Sequence, residues 1–205
     1  MGQYSDVIPV TITADTVALD ADGISVAASV GNNAALVIGG ALADSGSVTL
    51  SHGRLITILS AGDDSSKSFT VVGTDVNGDS QTETVTGANA GTATSSKYFK
   101  TIASITAVGN PAGNVSAGIN ASAADAIFTM RSRLKGMFLT STATAGEIDF
   151  LTSSPTGTSI MKLNSVSDAD ATRDVTIPNE GVVFTSGIYI QYTVSTFLTM
   201  TVFHA

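Results

Sequence analysis

The chain has 205 residues and a formal net charge of −8, from 17 Asp and Glu side chains against nine Lys and Arg. This acidic balance repels a phosphate backbone and argues against nucleic-acid binding. The absence of Cys excludes disulfides, thiolate metal ligands and a cysteine nucleophile. The longest apolar run, residues 34–43, is about half of the ~20 residues that a membrane-spanning helix needs, so no membrane association is predicted.

The composition predicts an all-β protein. Ser and Thr account for 53 residues and Gly for 20, whereas charged residues make up 13% and aromatic residues 6%. Such a chain suits half-buried pleated strands joined by tight turns, and it forms helices poorly. The length suffices for two small cores, and we predict two β-sandwich domains, residues 23–122 and residues 123–205.

Residues 1–22 precede the first predicted domain. They contain the β-prone run VIPVTI, followed by the acidic stretch TADTVALDAD. Two interpretations are open: an arm that lies on a neighbouring subunit, or an edge strand of the first domain. In the second interpretation Pro9 blocks further pairing on one side, because proline lacks the N–H group that a ladder needs.

The first domain consists of short runs rich in Val, Ile, Thr and Phe, separated by turn residues such as His52-Gly53. Alternation along these runs predicts which side chains form the core. The core candidates are Ile56, Ile58, Phe69, Val71 and Ile105. The predicted strands are residues 23–28, 35–38, 47–50, 54–60, 68–75, 80–86, 97–99, 102–108 and 115–119.

Residues 75–79, DVNGD, carry the clearest turn signal. Asn77-Gly78 lies between two predicted strands and supplies the left-handed backbone that a tight hairpin loop requires. Carboxylates and an amide at alternate positions also suit calcium. However, Ser80 stands where an EF-hand loop needs Gly, and Thr86 stands where it needs a bidentate Glu. The hairpin interpretation is therefore preferred.

The remaining titratable clusters do not predict chemistry. Turn propensity and solubility explain the acidic loops Asp63-Asp64 and Asp168-Ala169-Asp170. His52 and His204 are the only histidines in the sequence, and they lack both the spacing of a metal site and the context of a catalytic triad. His52 precedes a glycine and is expected in an exposed loop.

Tyrosines are the remaining candidates for an interface. Tyr4, Tyr98, Tyr189 and Tyr192 could anchor a protein contact, although a buried or half-buried strand tyrosine is commoner. We therefore predict a protein that is not an enzyme, with no catalytic, cofactor-binding or metal-binding residues.

The second domain follows a stretch of small residues, 120–125, which we interpret as the domain boundary. The only basic cluster comes next, and the spacing of Arg131, Arg133 and Lys135 places all three cations on one face of a strand. A solvated strand face is the preferred explanation, and binding to an acidic partner surface is the alternative. Seven further strands indicate a compact sandwich or jelly-roll-like domain. They are residues 136–140, 147–151, 159–163, 173–177, 182–184, 188–194 and 197–203.

Residues 55–119 resemble a known module. The order GTD, Asn-Gly, TETVTG, NAGT, a Lys-aromatic-Phe-Lys-Thr run, SIT and AGNVSAG, preceded by LITILSAGDDSSKSFTVVGTD, resembles an immunoglobulin-like module of tailed-bacteriophage virion proteins. The resemblance covers roughly a third of the chain. Such modules occur in capsid decoration proteins, tail proteins and fibres, so the resemblance implies an immunoglobulin-like first domain and a role on the virion surface. The ending TVFHA is loosely similar to that of C-terminal domains in phage structural proteins.

The resemblance implies a capsid decoration or cement protein that is assembled in the host cytoplasm and binds the outside of the phage head. Its partner would be the major capsid protein or another virion protein, and a dimer or trimer is compatible with this role. One alternative is a tail fibre, knob or adaptor component. Another is a carbohydrate-binding module, although the chain has no Trp for stacking on sugars.

Overall fold

The computed structural model describes residues 6–205, and these form fifteen strands and no helix. The strands make two antiparallel sheets, consistent with a β-sandwich, so the all-β prediction is confirmed. Tyr4 lies outside the described residues. The strands are β1 (Ile8–Thr13), β2 (Asp20–Ser29), β3 (Ala43–Asp44), β4 (Ser47–Ser60), β5 (Ser68–Thr74), β6 (Ser80–Thr86), β7 (Thr92–Val108), β8 (Asn114–Phe128), β9 (Ser132–Ser141), β10 (Glu147–Thr152), β11 (Thr158–Asn164), β12 (Thr172–Thr176), β13 (Val182–Phe184), β14 (Ile188–Thr193) and β15 (Phe197–His204).

The chain divides into two compact units. The central unit is Val17–Ala123, and the terminal unit combines Ala124–Ala205 with the described part of Met1–Thr16. The division falls inside β8, so residues 120–125 belong to a continuous strand. The predicted boundary between the domains is therefore part of a strand, and the small residues there are compatible with strand structure.

Strand β1 belongs to the terminal unit. It pairs antiparallel with β15, from Ile8 opposite His204 to Thr13 opposite Thr199, and it forms one edge of the strand order β1-β15-β9-β12. This pairing places residues 8–13 in the terminal unit, so they are not an edge strand of the first predicted domain. The β-prone pattern of the strand is local, whereas its partner lies almost the whole chain length away.

In the central unit the strand order is β8-β4-β7-β5-β6, with β2 beside β8 and β3 beside β4. The five predicted core residues are all fully buried in one cluster. The predicted strand at residues 35–38 is wrong, because only Ala35 forms an isolated bridge, to Thr106. The chain then turns away from β7, since the N–H groups of Gly39 and Gly40 both donate to the carbonyl of Ile24.

The predicted turn at His52-Gly53 is also wrong, and residues 47–60 form one long strand, β4. Thr49 pairs with Thr101 and Arg54 pairs with Phe99, so β4 advances by five residues where β7 advances by two. The three extra residues form a bulge in β4. A polar residue followed by glycine thus marks a bulge here, as an isolated glycine in a strand often does.

A second bulge explains why alternation fails in β7. Val72 pairs with Ser104 and Gly73 pairs with Ile102, which leaves Ala103 as an extra, exposed residue. The extra residue moves Ile102 onto the buried face that Ile105 occupies, so both are fully buried. A Cβ atom on Gly73 would lie 1.9 Å from the Thr101 carbonyl oxygen, so this close approach requires glycine.

The terminal unit contains all seven strands predicted for residues 136–203, together with β1 and the end of β8. β11, β10, β14 and β8 are successive neighbours, and β13 pairs with β9 beside the order β1-β15-β9-β12. In β14, buried residues lie on both faces: Ile188, Ile190 and Tyr192 alternate along the strand, and Tyr189 between them is buried as well.

Candidate interaction surface

His204 forms a structural contact. Its side chain is 2% exposed, its Nδ1 lies 3.1 Å from Ser132 Oγ, and its ring centroid lies 4.8 Å from that of Phe128. Ser132 Oγ donates to the carbonyl of Ala205, so Oγ accepts from Nδ1, which carries the imidazole proton. Burial lowers the pKa of His204. Ser132 is buried, and its hydroxyl proton is already hydrogen-bonded to the carbonyl of Ala205. The pair therefore stabilises the end of β15 and does not activate a nucleophile.

Asp75 holds the predicted hairpin. Its Oδ1 accepts hydrogen bonds from the N–H groups of Asn77 at 2.8 Å and Asp79 at 3.0 Å. β5 and β6 pair from Ser68 opposite Thr86 to the last pair at this loop, which confirms the hairpin. Gly78 alone is left-handed, with φ +87°, so the loop is a type I turn followed by a glycine bulge. The Asp75 carboxylate thus stabilises the turn.

The histidine and the acidic pair of the central unit lie in different environments. His52 is half-buried in the β4 bulge, not in an exposed loop. Asp63 Oδ1 accepts hydrogen bonds from the hydroxyl and the N–H group of Ser65, and these bonds lower the pKa of Asp63. Asp64 is fully buried, and its Oδ1 accepts the N–H group of Ala112 at 2.7 Å. Solubility explains Asp63 but not Asp64, which fixes one loop against another.

Arg54 is a buried charged residue whose burial the sequence pattern does not predict. It is fully buried, its Nε donates to the carbonyl of Asn120 at 3.0 Å and its Nη1 donates to the carbonyl of Val17 at 3.0 Å. A buried guanidinium needs such partners, because burial of a charge is costly unless it is hydrogen-bonded. Arg54 lies between Gly53 and Leu55, and nothing in this local pattern predicts that its side chain is buried.

A shallow depression of about 160 Å³ lies beside β10 and β14. Its lining residues are Glu147, Asp149, Gln191, Tyr192 and Thr193. Lys162 Nζ lies 2.6 Å from Glu147 Oε1 and 3.7 Å from Asp149 Oδ2, and the Glu147 contact raises the pKa of Lys162. The depression is smaller than the ~300 Å³ at which ligand pockets begin, and its carboxylates are paired with a lysine.

Burial, together with the charge of Asp125, raises the pKa of Tyr192 well above its ordinary value. This phenol therefore stays protonated and donates to Asp125 Oδ2 at 3.4 Å. Tyr98 and Tyr189 are buried like Tyr192, at 3% exposure each, so none of the three is an exposed interface anchor. Within residues 6–205, no three His, Asp or Glu side chains are grouped so that they could hold a metal ion.

The predicted basic cluster has a structural role at two of its three positions. Arg133 Nη1 donates to the carbonyl of Glu180 at 3.3 Å, and Lys135 Nζ donates to the carbonyl of Asn179 at 3.2 Å. Both cations thus hold the turn that precedes β13, whereas Arg131 is exposed just before β9. These contacts favour the solvated strand face over a surface for an acidic partner.

The most regular surface of the terminal unit is the outward face of β1, β15, β9 and β12, which we call the Phe138 face. Strand pairing places its twelve residues in three rows of four. The rows are Pro9, Phe203, Gly136 and Thr176; Thr11, Thr201, Phe138 and Asp174; and Thr13, Thr199, Thr140 and Thr172. Phe138 is 40% exposed and is the only exposed aromatic side chain among the described residues.

The Phe138 face carries one charge, that of Asp174, on the edge strand β12. The residues between these rows, such as Met200, Leu139 and Val202, point inward and are fully buried, which keeps the face in place. A second regular face, which carries no charge, lies in the central unit. It consists of Ser68, Thr70, Val72 and Thr74 of β5, Ser80, Thr82, Thr84 and Thr86 of β6, and Thr101, Ser104, Thr106 and Val108 of β7.

Aromatic side chains distinguish the two faces. Protein interfaces are poor in charge and in Ser at their centre and rich in aromatic residues. The central-unit face has no aromatic residue, whereas the Phe138 face has Phe138 near its centre and half-buried Phe203 in the next row. The Phe138 face is therefore the better candidate for a protein contact.

No protein-family model, curated protein or solved structure matches this chain. In the described part of the chain, no helix is long and apolar enough to cross a membrane.

Proposed function

We propose that the protein is a non-enzymatic structural component of a tailed-phage virion, a capsid decoration protein that binds the outside of the head through the Phe138 face. In this proposal the central unit is an immunoglobulin-like domain and the terminal unit is a jelly-roll-like sandwich. The resemblance of residues 55–119 supports the virion role. The Phe138 face, with an aromatic centre and a single charge, is the observation that supports attachment by a sheet surface to the major capsid protein or another virion protein.

The dimensions of the Phe138 face limit what it can contribute. Strands lie ~4.8 Å apart and alternate residues ~6.8 Å apart, so three rows of four residues cover roughly 400 Å². A stable interface buries about 800 Å² on each partner. The face thus supplies about half of such an interface, and we expect adjoining loops of the terminal unit to complete it.

Phe138 contributes the largest single share of this contact. Aromatic side chains bury ~150–250 Å², so hiding the exposed two fifths of Phe138 removes about 80 Å² from water. At ~25 cal/mol per Å², this burial contributes about 2 kcal/mol per copy. A Phe138→Ala variant should therefore bind particles about 30-fold more weakly.

The matched control is Val72→Ala. Val72 is 36% exposed on the uncharged face of the central unit, close to the 40% of Phe138. Co-sedimentation of each variant with particles that lack the protein measures the two affinities. Weaker binding of Phe138→Ala alone supports the proposal, and weaker binding of Val72→Ala alone moves the contact to the central unit.

The location on the virion is tested by counting copies on purified particles. A copy number close to that of the major capsid protein supports decoration of the head. A few copies confined to the tail reject it and favour the alternative of a tail fibre, knob or adaptor. Self-association must be measured on the full chain, because β1 pairs with β15 and a C-terminal fragment would lack that strand.

A further inference from the structure

The tip of the β5–β6 hairpin combines an asparagine, a glycine and an open environment. Of the nine asparagines in the sequence, Asn77 alone is followed by glycine. Asn77 and Gly78 are both exposed, and nothing lies within 4 Å of the position that a Cβ atom on Gly78 would occupy. The space around Gly78 is therefore open on the side where other residues carry a side chain.

We propose that Asn77 is a site of spontaneous deamidation in the folded protein. The nitrogen of Gly78, after losing its proton to hydroxide, attacks Cγ of Asn77 and forms a five-membered succinimide, and ammonia leaves. One water molecule then opens the ring at either carbonyl, which gives aspartate or isoaspartate at position 77. Glycine permits this attack because it has no side chain and a freely rotating backbone.

The other asparagines lack one of these conditions. Asn110 precedes Pro111, whose nitrogen carries no proton and cannot form the ring. Asn114 precedes Val115, whose branched side chain crowds the nitrogen. Asn164 precedes Ser165, which carries a side chain and is only 5% exposed, whereas Gly78 is exposed. Asn77 is therefore expected to react first.

Asp75 controls the rate, because it fixes the loop in which the ring must close. The nitrogen of Gly78 donates to the carbonyl of Asp75 at 3.1 Å, and the Asp75 carboxylate accepts the N–H groups of Asn77 and Asp79. Asn77 Nδ2 donates to Asp75 Oδ2 over a long 3.4 Å. The turn must loosen before Cγ and the nitrogen meet, so removing the Asp75 carboxylate should accelerate deamidation.

The product changes both the charge and the shape of the hairpin tip. Aspartate at position 77 would stand with Asp75 and Asp79, so three carboxylates would fall within five residues. Isoaspartate inserts one methylene into the main chain between positions 77 and 78. The bond from Gly78 to Asp75 and the 2.9 Å bond from Asp75 N to the Asp79 carbonyl could not then both persist.

The test is peptide mapping by mass spectrometry of the folded full chain during incubation at mildly alkaline pH. The peptide with Asn77 should gain about 1 Da before any other asparagine peptide, and part of it should be isoaspartate. Asp75→Ala should accelerate the reaction about tenfold, because hydrogen bonds to a charged acceptor are lost. Asp75→Asn, whose amide oxygen can keep the same bonds, should react nearly at the wild-type rate.

A further pair of samples keeps the proposal falsifiable. Asn77→Gln should stay unmodified at position 77, because its longer side chain would require a six-membered ring. A synthetic peptide of residues 72–82 measures the reaction without the fold. If this peptide deamidates while Asn77 in the folded chain stays as intact as Asn164, the fold protects the site and the proposal is overturned.

Discussion

Acid should weaken the anchoring of β15 through His204. The buried imidazole is neutral in the fold and burial lowers its pKa, whereas in the unfolded chain the group titrates near its ordinary value of about 6.5. A lowered folded-state pKa means that the unfolded state binds the proton more readily. The contribution of His204 to stability is therefore fully present above about pH 6.5, and it is lost as the pH falls below that value toward the pKa of the folded state.

The magnitude of this loss follows from one proton. The free energy of unfolding cannot fall by more than about 1.4 kcal/mol per pH unit. For a chain of this length, such a loss lowers Tm by about 3–5 °C per pH unit. The imidazolium could gain about 0.5–2 kcal/mol from the Phe128 ring, whose centroid lies 4.8 Å away. Removing a cation from water costs several kcal/mol, so desolvation outweighs that attraction.

Thermal unfolding followed between pH 7 and pH 5 measures the effect, because unperturbed side chains other than histidine do not titrate in this range. The test variant is His204→Asn, whose amide can still donate to Ser132 but does not titrate. His52→Asn is the control for the second histidine. The wild type and His52→Asn should lose Tm with acid, and His204→Asn should lose much less. A parallel decline of the wild type and His204→Asn would refute this explanation.

Three further substitutions test other contacts. Gly73→Ala should cost about 2–4 kcal/mol of unfolding free energy in denaturant titrations, because its Cβ would displace the β7 backbone at Thr101, whereas Gly31→Ala has open space and should be nearly neutral. Glu83→Ala should cost about 1–3 kcal/mol and raise hydrogen exchange in β7, because the carboxylate accepts two main-chain N–H groups there at 2.7 and 2.9 Å. Phe138→Ala should leave Tm nearly unchanged, since an exposed side chain adds little to folding, while it weakens binding to particles.

Local patterns account for the parts of the fold that were predicted correctly. The strands β9 to β15 and the β5–β6 hairpin are confirmed because alternation, turn residues and an Asn-Gly pair are properties of neighbouring residues. The core candidates, among them Phe69 and Ile105, are buried for the same reason. The predictions fail where an extra residue enters a ladder, as at Ala103, since a bulge resets the alternation without changing composition.

The candidate surface depends on contacts that no short stretch contains. Phe138 reads in sequence as another strand residue of β9, and its exposure follows from pairing with Thr201 and Asp174 on two other strands. In the sequence, Asp64 looks like an acidic loop residue and Arg54 like a basic strand residue. Both are nevertheless buried, against carbonyl or N–H groups that lie 37 to 66 residues away along the chain.

The sequence by itself determined the all-β class, the hairpin at Asn77-Gly78 and most of the core, because a period of two and turn chemistry are encoded within a few residues. Only the tertiary structure decided the pairing of β1 with β15, the bulges in β4 and β7, and the membership of the Phe138 face. Each of these depends on which distant strands become neighbours, since register and burial are properties of the pair and not of either strand alone.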